Sequence, residues 1–129
     1  MNLLEVRGLF KGVNFDLLYG LPHQSMKTVK ATIERTLKMA PERITLLKYC
    51  HAPDVRKHMK LINVTDLPPP EMLPVMFTTL AQALIDAGYE WVGLDHFARQ
   101  SDSLAIAHHN GTVVRTFNGF EPGPSQWMI

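Results

Sequence analysis

Cysteine is nearly missing from this chain: Cys50 is the only one among 129 residues. That excludes an internal disulfide and any metal or iron–sulfur site built only from this chain's own cysteines, and it points to a cytoplasmic setting. Long apolar runs are missing as well. The first twelve residues carry Glu5, and the richest later segment, 72–87, is broken by Pro74, Thr78, Thr79, Gln82 and Asp86, so neither secretion nor membrane spanning is expected. Charge of one sign is not in excess either, with 13 Lys plus Arg against 12 Asp plus Glu and a formal net charge of +1. No global electrostatic argument therefore favours nucleic acid or an anionic membrane as partner. What is present is 46% hydrophobic residues against 19% charged, enough apolar material for a core. The length allows one ordinary domain and falls short of a complete eightfold β/α barrel of about 250 residues.

The nine prolines mark loops, with a run at Pro68-Pro69-Pro70 and two more at Pro122 and Pro124. Val13 to Gly20, apolar and aromatic and closed by Gly20-Leu21-Pro22, predicts a buried strand over 13–20. Ser25 then caps a helix over 25–39 whose Met26, Val29, Ile33 and Leu37 share one face, while Lys27, Lys30, Glu34 and Lys38 face away. A second strand is predicted over 43–50. The 30 residues between the strand starts at 13 and 43 match one βαβ unit and imply parallel neighbours. A short helix over 53–60 follows. A longer one over 71–87 carries Met72, Met76, Leu80, Leu84 and Ala87 as a stripe, with Gly88 as its end signal. A third strand is predicted over 91–97, a short helix from Ser101 or Asp102 to Ala107, and a weaker strand over 113–117; residues 121–129 read as an irregular tail. The fold class is α/β.

Several side chains in this pattern carry chemistry. Asp16 lies inside an apolar strand, where it either reaches the strand's mouth to accept hydrogen bonds from a ligand or is satisfied structurally by a cation or backbone N–H. Lys48, Tyr49, Cys50 and His51 cluster at the end of the second strand. Cys50 reads as a nucleophile, a metal ligand or an inert buried thiol. Asp95-His96-Phe97-Ala98-Arg99 sets an acid, a base and a cation in five positions, read either as a polar binding site or as an Asp and Arg paired across a loop. His108-His109 falls at a helix end, where the dipole favours a protonated imidazole. No tight His spacing supports zinc, which leaves a zinc hydrolase as a distant reading.

Taken in order, these pieces resemble a known family. Val13-Asn14-Phe15-Asp16-Leu17-Leu18-Tyr19-Gly20-Leu21-Pro22 with Gln24, the segment 43–53 with Tyr49, His51 and Pro53, the Asp66-Leu67-Pro68 loop, and Gly88-Tyr89 leading to Gly93-Leu94-Asp95-His96-Phe97-Ala98-Arg99 are similar to the oxygen-independent coproporphyrinogen III oxidases. The resemblance covers about residues 5–120. It implies a cytoplasmic radical S-adenosylmethionine enzyme of haem biosynthesis, which converts two propionates of coproporphyrinogen III to vinyl groups. It also implies a partial (β/α) barrel over residues 1–120 with parallel strands near 13–20, 43–50 and 91–97. In the family the position of Asp16 contacts S-adenosylmethionine, the backbone at Cys50 lines the same site, and a [4Fe–4S] cluster sits on a three-cysteine motif. Asp95, His96 and Arg99 are substrate-side candidates. The cluster motif has no counterpart here, so the chain reads as an internal stretch of the barrel, catalytically incomplete alone and prone to self-association through open sheet edges. The alternative is a small tetrapyrrole- or nucleotide-binding module without turnover, using Tyr49, His51, His96 or Arg99.

Overall fold

The computed structural model describes residues 12–116 and 119–122. The chain runs β1 (Asn14–Tyr19), α1 (Met26–Met39), β2 (Arg43–Lys48), two 3₁₀ turns (Lys57–Leu61 and Val64–Asp66), α2 (Met72–Asp86), β3 (Tyr89–Gly93), β4 (His96–Arg99), α3 (Ser103–His109), β5 (Val113–Thr116) and β6 (Gly119–Pro122). The fold is mixed α/β. A four-stranded sheet has the order β1-β2-β4-β3, and β5 and β6 form a separate antiparallel pair.

The βαβ unit forms as the spacing predicts. β1 and β2 pair in parallel from Asn14 opposite Arg43 to Tyr19 opposite Lys48. α1 begins where Ser25 accepts from the Thr28 N–H while the Thr28 hydroxyl accepts from the Ser25 N–H, a reciprocal cap that satisfies two orphan donors. Its Val29 and Ile33 enter the core. Ala40, in the left-handed region at φ 47°, ends it. α2 contributes Met76, Leu80 and Leu84 from the expected stripe and stops at Gly88, φ 92°. The predicted helix over 53–60 is instead the shorter 3₁₀ turn at Lys57–Leu61.

The third strand departs from expectation. Residues 91–97 do not form one parallel strand; β3 and β4 are an antiparallel hairpin, and β4 also runs antiparallel to β2. The reversal falls at Leu94-Asp95, where Leu94 takes φ 45°, next to a bulge between Trp91 and Gly93. The run reads as continuous because the left-handed residue is Leu94, which has no turn signature, while Gly93 and Asp95 on either side mark the break. The only parallel pair among the described residues is thus β1 with β2.

α1 and α2 cover one face of the sheet. Val29, Ile33, Ile44, Leu46, Met76, Leu80, Leu84, Tyr89 and Phe97 form the main core there. On the other face α3 covers only the β3–β4 end, packing Leu104 and Ala105 on Val92 and Ala98. Asp102 caps α3 by accepting from the Leu104 N–H at 2.9 Å. Tyr89 ties the layers together, its hydroxyl donating to the Pro41 carbonyl at 2.5 Å in a buried site. Tyr89→Phe strands that carbonyl and is expected to cost about 1–2 kcal/mol, read as a lower urea midpoint with an unchanged slope. An unmoved midpoint would show the bond to be dispensable.

Candidate functional site

Among the described residues no helix covers the β1–β2 end of the sheet's second face. Strand alternation sends Phe15, Leu17 and Tyr19 toward the helices and Asn14, Asp16 and Leu18 to the opposite face, where all three are exposed. β1 is therefore not buried on both sides as its composition suggested. A short polar ladder crosses this face: the Thr45 hydroxyl donates to Asn14 Oδ1 at 3.3 Å, and Asn14 Nδ2 donates to Asp16 Oδ1 at 2.7 Å. Asp16 is thus oriented by a neighbour and still open to solvent, a carboxylate able to accept from hydroxyl or ammonium groups of a ligand. Asn14 and Thr45 were missed in the sequence, although period-two alternation from Asp16 puts Asn14 on its face.

The mouth at the C-terminal ends of β1 and β2 is built tightly. Gly20 takes φ 84°, and a Cβ there would lie 2.8 Å from the Leu73 side chain, so this position admits only glycine without displacement. Gln24 braces the turn by accepting from the N–H groups of Gly20 at 2.7 Å and Leu21 at 3.2 Å and donating to the Leu18 carbonyl. The Tyr49 N–H donates to the Tyr19 carbonyl at 2.8 Å and closes the mouth on the β2 side.

The predicted site residues divide between two ends of the sheet. Cys50 follows β2, is exposed, and directs its thiol at the Lys48 carbonyl at 3.7 Å, so the reading of a buried small hydrophobe does not hold for its position. The side chains of Tyr49 and His51 meet on the other side, hydroxyl to Nδ1 at 3.1 Å. Asp95 and His96 reach the same mouth, because the Asp95 carbonyl accepts from the Leu46 N–H at 2.8 Å and antiparallel β4 starts there. Their side chains pair, Oδ1 to Nδ1 at 2.7 Å. Arg99 does not join them. β4 carries it to the opposite end, where its N–H donates to the Glu42 carbonyl and Nη1 to the Ala40 carbonyl, so its role there is to tie β4 to the end of α1. His108 and His109 close α3 against the half-buried Glu90, with His109 Nε2 at 2.7 Å from Oε2.

Tyr19 shares the mouth and has a raised phenol pKa, first through burial and then through the nearby charges of Asp95 and Cys50. Its ionisation is expected above that of a free tyrosine. A spectrophotometric titration should lose one raised tyrosine step in Tyr19→Phe, and Asp95→Asn should move that step down. If the step keeps its place in Asp95→Asn, the carboxylate does not act on the phenol.

A resident metal cluster does not fit these residues. Cys50 is the one thiol of the chain, short of the three that the resemblance implies for a cluster, and among the described residues no three His, Cys, Asp or Glu side chains converge to hold a metal ion. Among the same residues no helix is long and apolar enough to cross a membrane.

Comparison with known proteins agrees with the motifs. No family model matches the chain. The chain is 44% identical over 118 residues to the oxygen-independent coproporphyrinogen III oxidase of Bradyrhizobium diazoefficiens, covering 92% of this chain and 26% of that protein. It is 36% identical to the enzyme of the same name from Thermostichus vulcanus, covering 93% of this chain and 37% of the relative. Among solved structures, coproporphyrinogen III oxidase from Escherichia coli, described as a radical SAM enzyme, superposes with a TM-score of 0.88 at 33% identity over 92% of this chain and 28% of that one. The chain therefore spans about a quarter to two fifths of the length of these relatives.

Proposed function

We propose that this chain, similar along nearly its whole length to one stretch of the oxygen-independent coproporphyrinogen III oxidases, forms the S-adenosylmethionine-facing part of such an oxidase barrel. The observation that carries the reading is the oriented, exposed carboxylate of Asp16 on the uncovered face of the only parallel strand pair among the described residues. In this reading Asp16 accepts hydrogen bonds from S-adenosylmethionine, the backbone at Cys50 lines the same cavity, and Asp95 with His96 stands on the coproporphyrinogen side. Bound there, S-adenosylmethionine would supply the radical chemistry that the coproporphyrinogen reaction needs. This chain's own residues bind and orient.

Among the described residues β1 is an edge strand and no element lies over Asp16, and in this reading that edge and face are where further strands of a barrel would close. Without them, association of copies through that edge is expected at high concentration. The chain alone holds too few thiolates for turnover. Titration calorimetry of the 129-residue protein with S-adenosylmethionine tests the assignment. Asp16→Asn keeps the Asn14 contact geometry but removes the charge, and affinity is expected to fall about tenfold or more, as for loss of a charge-assisted hydrogen bond. Equal affinity of wild type and variant would refute the role of Asp16.

A further inference from the structure

The segment joining β2 to α2 carries charge that the site described above does not use. Arg56, Lys57, His58 and Lys60 fall within five positions and are all exposed. Between 51 and 65 the one acid is Asp54, and among the described residues Arg56, Lys57 and Lys60 form no ion pair. The same stretch leaves large aliphatic side chains bare: Val55 at 83% exposure, Leu61 at 91% and Val64 at 64%. The chain's formal net charge is only +1, so any pull on an anionic partner is local to this segment.

The segment is held in place. Met59, between the cations, is buried, and its sulfur accepts from the Ala52 N–H at 3.3 Å. The backbone bonds to itself: the Arg56 N–H donates to the Ala52 carbonyl at 2.8 Å, the Met59 N–H to the Arg56 carbonyl at 2.9 Å and the Ile62 N–H to the Met59 carbonyl at 3.0 Å. Asn63 Oδ1 takes the Thr65 N–H at 3.1 Å. A stretch whose N–H groups are bonded in this way can enter a drier medium without stranding them. In a 3₁₀ turn residues three apart eclipse, so Lys57 and Lys60 share one side and His58 and Leu61 another.

Cations with bare aliphatic side chains among them fit a surface that is anionic outside and apolar beneath. Free phosphate or a nucleic-acid backbone makes no use of Leu61 and Val64. Protein interfaces are depleted in lysine and organised on aromatic anchors, and residues 55–65 carry no Phe, Tyr or Trp. At a lipid boundary the preference is reversed, because lysine and arginine lay their stems along the apolar side and keep their charge among the headgroups. We infer that residues 55–64 dock this chain peripherally on an anionic lipid surface, with Arg56, Lys57 and Lys60 at the headgroups and Val55, Leu61 and Val64 entering the acyl boundary.

The test is co-sedimentation of the full chain with vesicles of phosphatidylcholine alone and of phosphatidylcholine mixed with phosphatidylserine. Wild type is expected to bind the mixed vesicles, more weakly as salt rises, and to leave the neutral ones in solution unbound. Each basic side chain near an anionic surface contributes roughly fivefold, so the combined Arg56→Gln, Lys57→Gln and Lys60→Gln variant should bind at least about thirtyfold more weakly with an unchanged melting temperature. Lys57→Arg with Lys60→Arg should keep the affinity, and Leu61→Ser with Val64→Ser should lower it about fivefold or more at constant salt dependence. Absence of binding by wild type to the mixed vesicles, or equal binding by wild type and the Gln variant, overturns the inference. Binding that ignores Leu61→Ser with Val64→Ser reduces the contact to headgroup charge and overturns the entry of the aliphatic side chains. Capture of wild type by immobilised polyglutamate, with none by the mixed vesicles, assigns the cations to an acidic protein surface and overturns the inference as well.

Discussion

Phe97→Ala is expected to destabilise the chain by about 3–5 kcal/mol, a large part of the 5–15 kcal/mol that holds an ordinary domain together. Phe97 is fully buried, sits on β4 between β2 and β3, and stacks on Trp91 at 5.5 Å between ring centres with 20° between planes. Removing the ring takes its apolar surface from the core and leaves a cavity beneath both helices, at the one strand that joins the hairpin to the parallel pair. Urea unfolding followed by far-ultraviolet circular dichroism measures it. A shift below about 1 kcal/mol would mean the core collapses around the gap and β4 is not the keystone of the sheet.

Asp102→Ala is expected to cost about 2 kcal/mol, half from the lost helix cap and half from an arginine deprived of its partner. One carboxylate oxygen does both jobs: Asp102 Oδ2 accepts from the Leu104 N–H at 2.9 Å and from Arg43 Nε at 2.7 Å, with its side chain only 8% exposed. The Arg43 side chain is 30% exposed and partly rehydrates, which keeps the second share small. Asp102→Asn retains an acceptor for the cap and should lose about half as much. Equal losses in the two variants, compared by chemical denaturation, would assign the whole effect to the ion pair. The consequence reaches the sheet, because α3 is the element that covers the β3–β4 end of the face opposite the two long helices.

How much of this was legible in the sequence depended on whether a local signal had a single physical meaning. The βαβ unit was legible: Ser25 and Thr28 cap, Val29 and Ile33 repeat at helical spacing, and a 30-residue strand interval leaves a right-handed crossover as the compact solution. α2 was legible for the same reason. The hairpin was not, because the residue that takes φ 45° is Leu94 and not the flanking Gly93 or Asp95, so the segment from Trp91 reads as one strand running on. That one reversal also misplaced Arg99: on a single parallel strand and the turn after it, the residue would sit beside Asp95 and His96, whereas on antiparallel β4 it is carried to the far end.

The site was half legible. Asp16 stood out as a charge in an apolar strand, yet its surroundings were misread as buried, since composition cannot tell a strand covered on both faces from one covered on a single face by chance of its apolar outer residues. Leu18, 46% exposed on that outer face, is what made the strand look buried. Asn14 and Thr45, which orient Asp16, carry no motif and become visible only once β1 and β2 are in register.

The most direct test of the account is an exchange. The stretch of the Escherichia coli coproporphyrinogen III oxidase that superposes on this chain is replaced by residues 12–122, and conversion of coproporphyrinogen III is measured under anaerobic conditions with S-adenosylmethionine. Visible absorbance of the reconstituted cluster and a cooperative melt establish that the chimera is folded. The account predicts conversion by the chimera and its loss when Asp16→Asn is introduced. A folded, cluster-bearing chimera that converts nothing, or one whose activity ignores Asp16→Asn, would contradict it.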